Sequence, residues 1–182
     1  MESYTTQNTL LLKNLLEFYK KNNNLETMLN IINGESTISL RIVDWFATNY
    51  AKQKFTVYDL NNGKRFKVYN DYKLKLRAYS KKRFDPFCRW DRIIIPYKDG
   101  TSIQTTLGQL NFFKWALENE VIDYIQTNYH EIESDMNCRN STSKLRVVTN
   151  SAQKTRKKRE ELSISASKSI KRELVTIEVN FD

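Results

Sequence analysis

The chain has 182 residues, 40% of them hydrophobic and 12% aromatic, with 30 Lys and Arg against 21 Asp and Glu for a formal net charge of +9. That apolar and aromatic content excludes wholesale disorder, and the length suits one domain with an appendage while being short for two independent globules. Four Gly, two Pro, two Cys and one His exclude a loop-rich, disulfide-stapled or Cys/His zinc architecture and point to a reducing, intracellular setting.

The opening stretch, MESYTTQNTLLLKNLLEFYKK, has no basic segment ahead of its apolar residues and no small-residue cleavage site. It therefore reads as an amphipathic helix and not as a signal peptide. Leu11, Leu12, Leu15, Leu16, Phe18 and Tyr19 recur at helical spacing until the Asn-rich residues 22–24. A second helix over 25–32 turns Met28, Leu29 and Ile32 inward and stops at Asn33-Gly34. Ser36 or Thr37 is expected to cap a helix over 38–52, with Ile38, Ile42, Trp45, Phe46 and Tyr50 on one stripe. KFTVYDL (54–60) and KRFKVY (64–69), joined by Asn61-Asn62-Gly63, predict a hairpin.

From Asp71 to Lys82 the spacing is helical again, with Tyr72, Leu76 and Tyr79 on one side and basic residues on the rest. Pro86 ends this helix. RIIIPY (92–97) then reads as a short buried strand, and SIQTT (102–106) pairs with it across the Asp99-Gly100 turn. Thr106 and Gln109 have capping-box spacing, and Leu110, Phe113, Leu117, Val121 and Ile125 continue the helical pattern. Residues 106–137 are expected to form one bent helix or two consecutive ones, with Glu118, Glu120, Asp123, Glu131, Glu133 and Asp135 on the exposed face. No run approaches the ~18 apolar residues needed to span a bilayer.

After Cys138 the composition turns to Ser, Thr, Lys and Arg without large aromatics. Residues 138–152 read as a linker and 153–182 as a basic arm, because low hydrophobicity with high charge cannot support a core. The arm ends in alternating Val175, Ile177, Val179 and Phe181, a strand that needs a sheet on its own body or on a partner. The expected fold is α+β and mostly helical: a compact body over 1–137 with a small β-hairpin and sheet, followed by the linker and the arm.

Charge is segregated along this plan. Residues 1–60 hold six bases and six acids, 61–98 twelve and three, 99–138 one and seven, and 139–182 eleven and five. Such a field attracts a polyanion to some parts of a surface and repels it from others. Between Lys64 and Arg92 the bases alternate with Phe66, Tyr69, Tyr72, Tyr79, Phe84, Phe87 and Trp90. Proteins that neutralise phosphates and stack on bases use that mixture, although aromatics at such positions also build cores. The open question is whether the acidic segment 106–137 neutralises the basic block.

Catalytic patterns are missing from the sequence. His130 stands alone among carboxylates, where a surface role is expected, and it has no nucleophile or second ligand at defined spacing. Gly34, Gly63, Gly100 and Gly108 are isolated, so no phosphate-cradling loop is present. Asp85, Asp91 and Asp99 could be carboxylates of a metal-dependent nuclease, but Asp91 between Arg89 and Arg92 reads better as a structural ion pair.

Four stretches carry a resemblance: ISLRIVDWFATNYAK (38–52), YKLKLRAYSKKRFDPFCRWDRI (72–93), TTLGQLNFFKWALENEVIDYI (105–125), and RKKREELSISASKSI with the terminal VTIEVNFD. They resemble an uncharacterised protein family of the nucleocytoplasmic large DNA viruses, of the mimivirus and phycodnavirus kind. The resemblance implies a viral protein of the cytoplasmic factory or the virion, soluble and intracellular, and transfers no catalytic residue.

The expectation from these readings is a non-enzymatic protein that binds DNA or RNA without strong sequence specificity, with no cofactor, metal, membrane or small-molecule substrate. Its contacts are expected from Lys64, Arg65, Lys67, Lys73, Lys75, Arg77, Lys81, Lys82, Arg83, Arg89 and Arg92 in the body. Arg156, Lys157, Lys158 and Arg159 add contacts from the arm, and Tyr79 or Trp90 would stack on bases. The alternative is a virion assembly protein that docks another virion protein through its C-terminal strand.

Overall fold

The computed structural model describes residues 7–89, 91–97, 100–149 and 172–174, the stretches 140–149 and 172–174 by backbone alone. Two helices open the chain, α1 (Gln7–Tyr19) and α2 (Asn24–Asn33). α1 turns Leu15 and Tyr19 inward, and the Tyr19 hydroxyl donates to the Leu110 carbonyl at 2.6 Å. α2 buries Met28, Leu29, Ile31 and Ile32 and ends, as expected, at a left-handed Gly34 (φ 77°).

The expected helix over 38–52 differs in two respects. It starts later, as α3 (Leu40–Trp45), because Ser39 supplies the cap by accepting from the Ile42 N–H at 3.3 Å, while Ser36 accepts from Ile38 N–H. It then widens into a π-helical turn over Phe46–Tyr50 before the short α4 (Ala51–Gln53). The wider turn keeps Phe46 and Tyr50 buried together, their ring centroids 5.8 Å apart, with Tyr124 5.3 Å from Phe46.

The hairpin forms where the sequence places it. β1 (Val57–Asp59) pairs antiparallel with β2 (Arg65–Lys67), and Gly63 supplies the positive φ of the turn. Tyr58 and Phe66 face each other inward with ring centroids 5.6 Å apart. Helix α5 (Val68–Arg83) follows at once, starting at Val68 and not at Asp71, because Val68 is buried and its N–H still closes the hairpin on the Thr56 carbonyl. Its helical conformation breaks at Ser80 (φ 62°, ψ 165°), ahead of Lys81.

β3 (Arg92–Pro96), β4 (Thr101–Thr106) and β5 (Arg172–Leu174) form an antiparallel sheet in that order. The strand expected to be buried at 92–97 is an edge strand instead: Ile95 is covered and Ile94 is 68% exposed, since one face and one edge lack a neighbour among the described residues. β5 belongs to the expected arm and pairs with β4 of its own body, Ile103 opposite Arg172. Residues 153–171 and 175–182, including the basic cluster and the alternating end, lie outside the described residues.

The region 106–137 departs most from expectation, with three helices in place of one or two. α6 (Leu107–Glu118) buries nine of its twelve residues and is the axis of the core, not an acidic surface helix. It ends because Asn119 Nδ2 turns back to the Trp115 carbonyl at 2.8 Å, with Glu120 left-handed (φ 55°) behind it. α7 (Val121–Thr127) ends the same way, Asn128 Nδ2 reaching the Tyr124 carbonyl at 2.9 Å. α8 (Tyr129–Thr149) then continues through residues 138–149, part of the segment read as a linker.

Around α6 the rings of Tyr72, Phe84, Phe112 and Trp115 pack within 6.5 Å of one another, centroid to centroid. Phe66, Tyr72 and Phe84, three of the aromatics interleaved with the basic block, are therefore core, and α5 is anchored through Tyr72.

Candidate functional site

α5 packs Val68 and Tyr72 inward, which turns Asn70, Lys73, Leu74, Arg77 and Ala78 to solvent on one face. Lys75 lies half-buried on a flank, and Lys64, Arg65 and Lys67 of the hairpin are exposed just upstream. Among the described residues Lys64, Lys67, Lys73, Lys75 and Arg77 form no ion pair. Arg65 pairs with Asp59 at 3.5 Å and Lys82 with Asp91 at 2.9 Å, both exposed pairs, while Arg83 donates to Gln7 Oε1 and Arg92 to Gln104 Oε1. Arg89 is exposed.

The segment that follows α5 is held by buried amides of α6. Asn111 Nδ2 donates to the Arg83 carbonyl at 2.9 Å and Gln109 Nε2 to the Pro86 carbonyl at 3.1 Å. Thr106 caps α6 by accepting from Gln109 N–H and donates its hydroxyl to the Cys88 carbonyl. Only half of the expected capping box is thus of use to the helix, because the Gln109 side chain serves the loop instead. The loop lies directly on Gly108, where an added Cβ would stand 2.8 Å from Cys88 Cβ. These contacts fix where Lys81, Lys82 and Arg83 leave the body.

Five of the six acids of 118–135 are engaged elsewhere. Asp135 accepts from Trp45 Nε1 at 3.1 Å and pairs with Arg139, Glu131 pairs with Lys54, and Glu118 with Lys114. Glu120 Oε1 accepts from the Asn61 N–H at 3.0 Å, and Glu133 from the Tyr129 hydroxyl. No ion pair among the described residues joins this block to Lys64, Lys67, Lys73, Lys75 or Arg77. Burial first, and these carboxylates second, push the Tyr50, Tyr58, Tyr124 and Tyr129 phenols up.

The proposed stacking and metal residues fall as follows. Tyr79 is half-buried against Phe84, ring centroids 6.3 Å apart at 23°. Trp90, Asp99, Arg156, Lys157, Lys158 and Arg159 lie outside the described residues. Asp85 accepts from Phe87 N–H at 2.8 Å in a local turn, and Asp91 is in an ion pair, with Lys82 as the partner. Among the described residues no group of three or more His, Cys, Asp or Glu is placed to hold a metal ion. His130 is exposed beside Tyr129; Cys88 is buried and Cys138 exposed.

Two residues were not picked out from the sequence. Asp44, near the end of α3, is pushed up to about 6 by burial and then by the charge of Asp85, with Lys81 pulling it back. The same pair of acids adds to burial in pushing the Tyr72 phenol up to about 12. Phe55, between α4 and β1, stands 84% exposed. Nothing in local sequence pairs Asp44 with Asp85, and Phe55 reads there as part of the strand expected over 54–60, so its left-handed, exposed position shows only in the fold.

Comparison with known proteins adds a family. Residues 2–182 match the model of a family of unknown function, DUF7197, and the chain belongs to it. It is similar to an uncharacterized protein of Acanthamoeba polyphaga mimivirus, 48% identical over 118 residues that make up 60% of this chain and 46% of the relative. The chain thus matches just under half of that relative's length, and the viral resemblance read from the sequence holds. No solved structure matches. No helix among the described residues is long and apolar enough to cross a membrane.

Proposed function

We propose that this member of a viral family binds nucleic acid without strong sequence preference, and without catalysing a reaction on it, through the cations of the hairpin and α5. The observation that carries the reading is the set Lys64, Lys67, Lys73, Lys75 and Arg77, cations with no acidic partner among the described residues, while five of the six acids of 118–135 have partners elsewhere. Unpaired Lys and Arg on one helix face displace counterions from a phosphate backbone, which drives binding but reads no base edges. Arg156, Lys157, Lys158 and Arg159 would add phosphate contacts from the C-terminal segment. The setting is the viral factory in the host cytoplasm or the virion.

The competing reading is assembly through a C-terminal strand added to another virion protein. β5, immediately ahead of the alternating residues 175–181, pairs with β4 of the chain's own body, which favours the first reading. Mobility shifts of unrelated DNA and RNA sequences of one length test it. Comparable shifts that weaken steeply between about 50 and 200 mM salt are expected. No shift at low salt, or one indifferent to salt, contradicts the proposal.

A further inference from the structure

The junction of α4 and β1 closes as a helix C-terminal motif. Lys54 N–H returns to the Tyr50 carbonyl at 2.9 Å and Thr56 N–H to the Ala51 carbonyl at 3.1 Å, which puts residue 55 in the left-handed region (φ 49°). Glycine suits that position because a Cβ crowds the neighbouring carbonyl, and α2 ends on Gly34 in this conformation. Here the residue is Phe. The other non-glycine residues with positive φ among those described are Asn, Ser, Asp and Glu.

Nor does packing account for the ring. Phe55 is 84% exposed and stacks on no other aromatic among the described residues. The left-handed backbone costs folding free energy for a residue with a Cβ, and an exposed ring gains no burial to offset that cost, which glycine would avoid. The side chain is therefore better explained by something outside the fold.

Its surroundings indicate what. Thr56, just ahead of β1, is buried, and Val57, the first residue of β1, is 43% exposed opposite Lys67. Lys52 lies 5.7 Å from the Tyr69 ring centroid. Among the described residues, Phe55 and Val57 are the large apolar side chains exposed around this junction, Leu10, Leu74 and Ile94 being on α1, α5 and β3. A small apolar platform among cations matches a base and its phosphate better than it matches the broad apolar centre of a protein interface.

We propose that Phe55 is a stacking platform for an unpaired base of single-stranded nucleic acid, extended by Val57, with Lys52 and Lys67 facing the backbone phosphates. This rests on the nucleic-acid reading above and goes beyond it, naming the strand state bound and a contact residue. Duplex bases are already stacked, so the platform discriminates for single strands.

The test uses the full chain and labelled oligonucleotides of one length, single-stranded and duplex, followed by fluorescence anisotropy. Phe55→Gly is expected to weaken single-strand binding about tenfold or more while leaving duplex binding within about twofold. The variant should keep or raise the thermal midpoint, because glycine relaxes the left-handed backbone. Phe55→Trp should restore affinity and show indole quenching on single strands beyond that of the wild type. Equal losses for both forms, no loss at all, or a lower melting midpoint in Phe55→Gly would overturn the stacking role, while a salt-sensitive response that survives would leave the basic face standing. Self-association seen in sedimentation and abolished by Phe55→Gly would make a second copy the occupant and also overturn it. A wild type that binds neither form would defeat the broader reading together with this one.

Discussion

The acidic and basic halves of this molecule use charge differently. On the α7–α8 side the carboxylates are integrated into the fold: Asp135 receives the Trp45 indole, Glu120 the Asn61 backbone and Glu131 the Lys54 ammonium. On the α5 side Lys73, Lys75 and Arg77 have no such partner among the described residues, and only their helix is anchored, through Tyr72 and through Asp71 accepting from Trp115 Nε1 at 2.7 Å. Removing an acid should therefore disturb stability and removing a base should not. That asymmetry separates charge kept for folding from charge available to a partner.

The largest effect expected is on the basic side. Replacing Lys73, Lys75 and Arg77 together by Gln should lower nucleic-acid affinity about a hundredfold at low salt and reduce the salt slope by about 2 to 3. Its melting curve should stay close to wild type, and a large loss of stability would break the comparison. On the acidic side, Asp135→Ala leaves the Trp45 N–H without its acceptor and should cost about 1–3 kcal/mol in denaturant unfolding, with affinity unchanged or slightly raised.

A smaller effect sharpens the boundary between the halves, where Asp44 lies among Asp85, Lys81 and Tyr72. Its folded pKa is raised from the ordinary 3.8 to about 6, so the folded chain keeps a proton that the unfolded chain has released. Its contribution therefore favours folding below that window and turns against it as pH rises through about 4 to 6. Asp44→Asn should flatten that decline and add about 1–2 kcal/mol at pH 7, allowing for solvent screening of a half-buried group. Urea unfolding at pH 4 and pH 7 measures both; an unchanged pH profile contradicts the assignment.

Local sequence was a good guide wherever local chemistry decides. The Asn61-Asn62-Gly63 turn, the glycine stop of α2 and the hairpin strands all appear where their residues place them. It failed where distant partners decide. The apolar periodicity of Leu110, Phe113 and Leu117 implied one buried stripe, yet Gln109 and Asn111 are also buried, because the carbonyls of Pro86 and Arg83 satisfy them. Asn119 and Asn128 divide the expected long helix through hydrogen bonds to carbonyls four residues back, a choice the hydrophobic pattern does not reveal. For the candidate site, the unequal placement of charge was readable, whereas its lack of pairing with 118–135 required the fold. Tyr79 looked like a stacking residue and packs on Phe84, while the bare ring is Phe55.

The most direct test of this division is a backbone amide NMR titration of the full chain with a short single-stranded oligonucleotide at low salt. Shift changes concentrated in the hairpin and along α5, residues 52–83, and small over 118–136, are the predicted result. Changes centred on 118–136, or no change anywhere at saturating oligonucleotide, would contradict it.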